Sequence, residues 1–570
     1  MKLLIFLLCA VLGAGSARPT ARAQDAGHTP DFAVDENSAL GSAYVPMDSW
    51  MYPALDRLHA LGYVDTAYLG LRPWTRLSMA HMLERSAERI ESDPGDGEAR
   101  AIYSALMQEL QPDLDRAQGP QRLHAELDQV YLHFRGIAGT PLRDSFHLGE
   151  SLVDDYGRPY EGGFNSYSGF SGRVEAGRLS LYFRGEIQHA PSAPGYSPAL
   201  AAYLADTLDL VPLAQDPVQD TIPEGPIAGV NDARVMEANL SYHLFGHEVS
   251  LGKSDHWLGP DAGAAMLWSD NAEDIYDFEI DRVEPLRVPL LSRLTGPVRY
   301  DFFVGSLKGH TYPNDPWVHM EKISFKPTRN LEFGFDRLTI WGGKGHEPVT
   351  LRTFLRSFFS FQNVTPAVKY SAQDPGARFG TFDFSYRLPF LRRWVTLYTD
   401  SLVHDDVSPV SAPRRSGVHP GLYLARFPGF EHLDLRVEGA STDTPSASVQ
   451  SGQFLYWEDV QRQGPTNKGF LVGDWAGRQG KGGQAWLTYH LSPREEVQFE
   501  YRRAKAASAF IPGGTTQNDY AVEARKRVLA TLELHGRLQY ESWKAPIYMA
   551  GAQSDTCAEL EITWMPHAPH

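Results

Sequence analysis

From about residue 123 onward, short segments of this chain alternate strictly between apolar and polar side chains. In one segment Leu179, Leu181 and Ile187 alternate with Arg184 and Glu186. A period of two is that of a β-strand, and charges at nearly every second place suit a polar lumen better than the solvated face of a sandwich. The pattern therefore predicts the strands of a transmembrane β-barrel.

The number of such segments and the lengths of their connections support this fold class. Short connections such as 177–178 and 492–495 alternate with long ones such as 441–482. Outer-membrane barrels have short periplasmic turns and longer external loops. The sequence therefore predicts an all-β barrel of about 18 antiparallel strands over residues 121–566, followed by a tail, 567–570. The predicted strands start near residues 123, 166, 178, 233, 248, 274, 297, 316, 331, 380, 394, 419, 431, 483, 496, 517, 529 and 555.

Residues 46–120 have a helical period instead and predict a small α-helical module. Asp48 is the expected cap of a first helix that ends at Gly62. A second helix is expected from Thr75 through Ile90. A third is expected from about residue 97, closed by the proline at position 112.

The first 23 residues predict export. A lysine at position 2 precedes an apolar run, Leu3 to Leu12, and Ala21-Arg22-Ala23 forms a cleavage pattern, with a second possible cut after Ala17. Residues 24–45 are polar and rich in Pro and Ala, which is typical of a flexible leader. Together with the alternating segments, this predicts a protein of a bacterial outer membrane.

The net charge and the motifs limit the classes of function that the protein can have. The net charge of −17 argues against a nucleic-acid partner, because phosphates require basic surfaces. With Cys9 in the signal peptide, Cys557 is left alone and no disulfide is expected. There is no G-x-S-x-G, and Pro348 prevents His346-Glu347 from starting a zinc-binding helix. We expect no enzyme, no catalytic residues, no metal and no cofactor, although distant strands of a barrel can still assemble an active site.

One loop carries the chemistry of sugar recognition. Residues 255–273 contain Asp255, Trp257, Trp268 and Asn271. Flat aromatic faces bind the CH groups of a sugar, and carboxylates or amides bind its hydroxyls. This predicts a polysaccharide-binding loop. The alternative is that the two tryptophans wedge the loop against the barrel wall.

A second cluster lies in the long connection 441–482. It contains Tyr456, Trp457, Asp474, Trp475 and Arg478, which also suit a glycan groove. The alternative is an ordered lid that packs on itself.

A third long loop, 342–379, has Phe354, Leu355, Phe358 and Phe359 at the spacing of a short amphipathic helix. We expect this helix to fold into the lumen as a constriction, and the alternative is that it lies on the outer leaflet. Lumenal charges are expected to form cross-strand ladders that stiffen the barrel rather than an ion path.

The chain also resembles the capsule assembly protein Wzi family. The resemblance covers nearly the whole mature chain and is carried by Tyr44-Val45-Pro46-Met47-Asp48-Ser49-Trp50, Leu71-Arg72-Pro73-Trp74-Thr75-Arg76, Trp257-Leu258-Gly259-Pro260, Ser269-Asp270-Asn271-Ala272 and Gly473-Asp474-Trp475. It implies an eighteen-stranded barrel with a helical bundle at its periplasmic mouth. It also implies a lectin-like role in attaching or organising a capsule. The helical module separately resembles a single S-layer homology repeat, which alone is more often a packed plug than a glycan-binding unit.

These observations lead to two functional hypotheses. The first is a non-enzymatic outer-membrane lectin that binds capsular or other surface polysaccharide, contacts outer-membrane lipid and has a polysaccharide export channel as a candidate partner. The second is a diffusion channel for sugars or small anions, because eighteen strands enclose a wide lumen. A monomer is expected in either case.

Overall fold

The computed structural model describes residues 40–119, 122–211, 219–361, 364–404 and 415–566. The predicted signal peptide, the predicted tail and most of the predicted leader lie outside these residues. Eighteen strands of the described chain form one antiparallel sheet. They are β1 His124–Gly139, β2 Gly163–Ala176, β3 Leu179–Ala190, β4 Val230–Leu244, β5 His247–Lys253, β6 Asp277–Asp281, β7 Val298–Ser306, β8 Trp317–Thr328, β9 Leu331–Trp341, β10 Ala377–Arg387, β11 Val395–His404, β12 Gly417–Leu424, β13 Leu433–Ser441, β14 Gly480–Ser492, β15 Glu495–Ala506, β16 Thr516–Leu529, β17 Leu532–Ala545 and β18 Met549–Trp564.

The sheet closes into a barrel because β1 pairs with both β2 and β18. In the closing pair Val130 lies opposite Trp564 and His133 opposite Glu561. The predicted barrel of about eighteen strands is therefore confirmed. Most strands begin within about three residues of the predicted start, and the largest difference is at β18, which begins at Met549 rather than near 555.

Side chains alternate along the strands as predicted. On β4, Leu240 and Tyr242 are exposed on the outer face, whereas Ser241 and His243 are buried in the lumen. Lumenal charges pair across strands: on β8, Lys322 Nζ lies 2.7 Å from Asp336 on β9 and 2.6 Å from Asp383 on β10. The expected cross-strand ladders are present, because a charge buried in the lumen is stable only when it is paired.

The two ends of the barrel differ in their connections. One end has short turns such as 329–330 and 493–494, and the other has long loops such as 342–376 and 442–479. The turn between β4 and β5 is the pair Phe245-Gly246, with φ of 50° and 76°. Two residues with positive φ form the turn that fits the twist of a hairpin. By the usual arrangement of such barrels, the short-turn end faces the periplasm.

Helices precede and interrupt the barrel. None of the helices in the described residues is long and apolar enough to cross a membrane. The helices are α1 Met51–Ala60, α2 Arg76–Glu84, α3 Ala87–Glu91, α4 Gly97–Gln118, α5 Pro198–Tyr203 with a π-helical continuation Leu204–Asp209, α6 Ser292–Thr295, α7 Leu351–Phe358, α8 Pro366–Lys369 and α9 Pro445–Val449, with a 3-10 turn at Pro389–Leu391.

The N-terminal helices differ from the prediction in their ends. Thr75 caps α2 as predicted, accepting a hydrogen bond from the Ser78 amide. Asp48 does not cap α1, because its carboxylate accepts a hydrogen bond of 2.6 Å from Arg184 on β3. The second predicted helix is broken between α2 and α3, where the Ser86 hydroxyl donates to the carbonyl of Met82.

The predicted end of the third helix at Pro112 is wrong, since α4 continues to Gln118. Arg76 donates to the Glu109 carbonyl at 2.9 Å and to the Asp113 carboxylate at 3.0 Å, on either side of the proline. These tertiary contacts outweigh the backbone hydrogen bond that proline removes.

The four N-terminal helices close the short-turn end. Arg57 on α1 pairs with Asp434 at the start of β13, and Tyr68 donates to the carbonyl of Pro297 in a turn. Gly41 donates its amide to the carbonyl of Gly177, in the turn between β2 and β3. The helices are therefore attached to several turns around the barrel.

Helix α7 lies outside the barrel, so the preferred prediction that it enters the lumen is wrong. Phe354 packs on Phe302 of β7, His319 of β8 and Trp341 of β9. His319 shares its face of β8 with Ile323, which is exposed on the outer wall.

The opposite side of α7 carries exposed apolar residues. Leu351, Leu355 and Phe359 are 72%, 43% and 64% exposed. The apolar band of a barrel faces lipid, and these residues extend it at the loop end. The structure thus has the helix on the outside of the wall, as in the alternative, and its contact with the outer leaflet stays a prediction.

Candidate functional site

Four long loops fold inward and fill the loop end of the lumen. We call them the loop plug, defined as residues 140–162, 191–229, 254–276 and 442–479 in their described parts. The plug is hydrogen-bonded to the wall, since the amides of Ala262 and Gly263 donate to Glu438 on β13. It also reaches the N-terminal helices, because Trp257 and Arg72 exchange two backbone hydrogen bonds of 3.0 and 3.1 Å. The lumen is thus filled from both ends.

The structure brings the two sequence-predicted clusters together. The hydroxyl of Tyr456 donates to the carbonyl of Met266, and the amide nitrogen of Asn271 donates to the carbonyl of Leu471 at 3.1 Å. Loops that are almost 200 residues apart in the chain therefore form one packed unit.

The aromatic side chains of these clusters are packing elements of the plug. Trp257 donates its indole N–H to the carbonyl of Asp261, and Trp268 meets Phe303 of β7 edge-on at 4.9 Å. Trp457 donates its indole N–H to the carbonyl of Asp209 at 3.2 Å. Trp475 packs beside Ala264 and Ala440 of the wall. These contacts match the alternative in which the rings wedge the loops in place.

The polar members of the two clusters are also engaged inside the protein. Asp255 accepts a hydrogen bond of 2.7 Å from the amide of Met47, and Asp474 contacts His419 on β12. Burial, with the backbone hydrogen bond and Arg184 opposing, raises the pKa of Asp255 above its usual range. Both carboxyl groups are therefore already engaged by groups within the protein.

None of the nine sequence-predicted binding residues is more than 5% exposed. Stacking on a sugar requires an open ring face, which these tryptophans lack in the closed plug. Their role as polysaccharide contacts stays a prediction. The nine residues are Asp255, Trp257, Trp268, Asn271, Tyr456, Trp457, Asp474, Trp475 and Arg478.

Asp209 joins three plug loops and was not identified from the sequence. It lies at the end of the π-helical turn, pairs with Arg478 and lies 3.0 Å from His147 Nε2. Burial alone would lower the pKa of His147, but the carboxylates of Asp144 and Asp209 raise it to about 9. No motif marks Asp209, because its partners come from loops far apart in the chain.

An open pocket lies at the outer rim of the barrel, beside the plug. We call it the rim pocket, and its volume is about 370 Å³. The ring of Tyr548 lies parallel to that of Trp543, with 5.9 Å between centroids, and 4.7 Å from that of Tyr196. Arg143 and Glu161 form an ion pair in its lining. Ser192 adds an exposed hydroxyl.

The rim pocket combines the groups that recognise sugars. A partly exposed tyrosine ring offers a flat face, a guanidinium donates hydrogen bonds, and carboxylate and hydroxyl oxygens accept them. These residues were not predicted from the sequence. Ser192 and Tyr196 lie in the turn-rich run 191–196. Trp543 and Tyr548 lie in the hairpin between β17 and β18, and Arg143 and Glu161 lie in loop 140–162. None of these segments carries a motif.

Three further cavities lie between the N-terminal helices, the plug and the wall, with volumes of about 320, 290 and 260 Å³. The largest has a layered lining, in which the guanidinium of Arg158 lies 4.2 Å from the ring centroid of Tyr167 and 5.0 Å from that of Tyr156. These spaces are polar and lie between the two closures.

The closed eighteen-stranded barrel, with its outward apolar face and its charged lumen, defines the class of an outer-membrane β-barrel protein. The family described as "Capsule assembly protein Wzi" matches residues 133–558. The chain belongs to this family, and its predicted place in the outer membrane is confirmed.

Two known proteins are similar to this chain. An uncharacterised 55.8 kDa protein from the cps region of Klebsiella pneumoniae is 24% identical over 161 residues, which span 28% of this chain and 31% of that protein. The solved structure of Escherichia coli Wzi, described as an outer-membrane protein involved in group 1 capsule assembly and a carbohydrate-binding β-barrel, is 15% identical. It superposes with a TM-score of 0.65 over 92% of this chain and 99% of that one, and the likeness establishes a shared fold.

Proposed function

We propose that the protein is a non-enzymatic outer-membrane lectin that binds capsular or other surface polysaccharide and helps to attach or assemble a capsule. The observation that carries the proposal is the filling of the lumen from both ends, which leaves the rim pocket as an open site at the loop end with aromatic rings and an ion pair in its lining. Membership of the capsule assembly family and the carbohydrate binding described for Escherichia coli Wzi support it.

The rim pocket is the contact site that we favour. Tyr548 is braced from behind by Trp543, so its orientation is fixed before a sugar binds and little side-chain entropy is lost on binding. Arg143 pairs with the carboxylate of Glu161. A uronic acid of the polysaccharide offers a second carboxylate, which takes the place of Glu161 or joins the pair. Because the whole chain has a net charge of −17, an acidic polysaccharide needs a cationic group of this kind at its contact site.

The nine sequence-predicted residues are the second candidate site. In the closed plug they hold the loops that frame the outer end, for example through the contact between Arg478 and Asp209. Direct contact with a sugar requires these loops to open. Their expected contribution to binding is therefore through the shape of the plug.

Retention of polysaccharide on cells that produce the protein distinguishes between the two candidate sites. Tyr548→Ala is expected to lower retention at least about tenfold, the loss of roughly one aromatic contact with a sugar. Tyr370→Ala is the matched control, because Tyr370 is exposed and lies outside both the rim pocket and the loop plug. Loss of polysaccharide retention in Trp257→Ala and Trp475→Ala, with normal retention in Tyr548→Ala, would show that the binding site is in the plug.

A diffusion channel is the alternative function, favoured by the polar cavities inside the lumen. It requires these cavities to connect past the loop plug and the N-terminal helices. Insertion into planar bilayers without stepwise conductance is expected for the lectin. Stable open steps in the unmodified protein would favour the channel. A polysaccharide export channel as partner, a monomeric state and the lack of enzymatic activity stay predictions.

A further inference from the structure

A buried cluster joins the plug loop 254–276 to the barrel wall. His256 comes from the loop, Glu279 from β6 and Asp301 from β7. One ligand-type atom of each residue lies within 4.8 Å of those of the other two. All three side chains are buried, so the cluster is shielded from bulk water.

His256 is oriented as a metal-binding histidine is. Its Nε2 lies 3.0 Å from a carboxylate oxygen of Asp277, and its ring stacks on Phe303 at 4.1 Å. Its Nδ1 has no hydrogen-bond partner among the described residues and lies 3.9 Å from Asp301 Oδ2, too far for a hydrogen bond. A carboxylate that holds one nitrogen while the other nitrogen is left for an ion is the usual outer-shell arrangement of metal-bound histidine.

Apart from the ring of His256 itself, no cationic side chain pairs with Glu279 or Asp301 among the described residues. Arg299, the nearby guanidinium, is engaged with Asp281 at 3.0 and 3.1 Å. Glu279 accepts hydrogen bonds from two neutral groups, the hydroxyls of Ser250 at 2.8 Å and of Ser254 at 3.5 Å, and Asp301 Oδ1 has no partner among the described residues. Buried carboxylates are stable when they are paired or coordinate a metal.

We propose that His256 Nδ1, Glu279 and Asp301 bind one divalent transition-metal ion, with Zn²⁺ as the best match. One imidazole and two carboxylates with a water as fourth ligand give a four-coordinate zinc site. Ligand atoms at zinc distances lie about 3.3 Å apart in tetrahedral geometry, so small side-chain movements complete the site. The mixed nitrogen and oxygen donors favour zinc over Ca²⁺ or Mg²⁺, which take oxygen ligands.

Two other groups in the lumen are less suited to this role. His419 has both ring nitrogens occupied, by Asp474 and by Glu438 at 3.1 Å. Glu438 in turn is saturated by the amides of two plug residues and the Tyr398 hydroxyl. The group of Asp255, Asp270 and Asp274 offers carboxylates alone.

The ion would fasten the plug to the wall. His256 immediately precedes Trp257, whose backbone meets the N-terminal helices, and both ion-binding carboxylates belong to the barrel. One metal therefore joins the loop, the wall and, through Trp257, the closure at the other end. The inference is independent of the proposed sugar binding.

The metal content of the folded protein tests the inference. The full chain, purified from outer membranes in detergent, is loaded with Zn²⁺, freed of loose metal by dialysis against a weak chelator and assayed by elemental mass spectrometry. About one zinc per chain is expected for the unmodified protein. His256→Gln and Asp301→Asn are expected to lose it, whereas the matched control His419→Gln retains it. Equal zinc in the unmodified protein and in folded His256→Gln, or no zinc in either, would overturn the site.

X-ray absorption at the zinc edge keeps the test decisive if the variants fail to fold. The unmodified protein is expected to give one imidazole and otherwise oxygen ligands. Sulfur ligation, or more than one imidazole, would contradict the assignment. Heat-modifiable migration on gels shows whether each variant has formed the barrel.

Discussion

Arg57 of α1 lies 2.6 Å from Asp434 at the start of β13, and the same guanidinium lies 2.7 Å from Glu98 of α4. All three side chains are buried. One arginine therefore ties two N-terminal helices to the barrel wall. The closure of the short-turn end depends on this and on similar contacts at other turns.

Replacing Arg57 is expected to weaken that closure. Arg57→Met leaves two buried carboxylates without their shared partner, and removing one member of a buried ion pair costs about 3–5 kcal/mol. Urea unfolding followed by gel migration measures the loss. The matched control is Arg100→Met on the exposed side of α4, where a change within about 0.5 kcal/mol is expected. Equal stability of the two variants would show that the ion pair does not hold the helices.

The stability of the plug is expected to fall at alkaline pH. Folding raises the pKa of His147 from its ordinary value near 6.5 to about 9. The contacts of its charged form with Asp144 and Asp209 thus stabilise the fold fully below pH about 6.5. This contribution is lost as the pH rises through about 9.

Melting temperatures between pH 6 and pH 10 provide the measurement. The unmodified protein is expected to lose stability between about pH 6.5 and about pH 9, and His147→Gln is expected to lose less because it has no proton to release. Parallel decline of the two proteins would assign the pH dependence to other groups.

Helix α7 is expected to contact lipid. A spin label at Leu355→Cys, in a Cys557→Ser background, should be accessible to oxygen dissolved in the bilayer and protected from a water-soluble nickel complex. The label at Thr353→Cys is the matched control, because Thr353 faces the wall and is buried. Protection of the Leu355 label from both reagents would place the helix away from lipid.

The barrel could be predicted because its cause is local. Alternation such as Leu240 and Tyr242 against Ser241 and His243 fixes which face of a strand meets lipid, and no tertiary information is needed. The exposure of the site residues could not be predicted in this way. Trp257 has the composition of a sugar platform, but its burial results from contacts with Arg72, far away in the chain.

Other differences between the predicted and the observed structure also come from contacts between distant parts of the chain. The amphipathic pattern of α7 is equally compatible with a lumenal and a lipid-facing helix, and only the outward ring of His319 decides between them. Pro112 is tolerated inside α4 because Arg76 supports the helix from another element. The cluster of His256 spans a loop and two strands, so no sequence spacing reveals it.

Binding of the host's own surface polysaccharide to the purified, folded protein tests the central claim most directly. In detergent or lipid nanodiscs, we expect saturable binding that is weakened at least about tenfold in Tyr548→Ala and unchanged in Tyr370→Ala. The same preparation is expected to insert into bilayers without stepwise conductance. No binding by a barrel that shows the heat-modifiable gel shift, together with open conductance steps, would contradict the lectin and favour a channel.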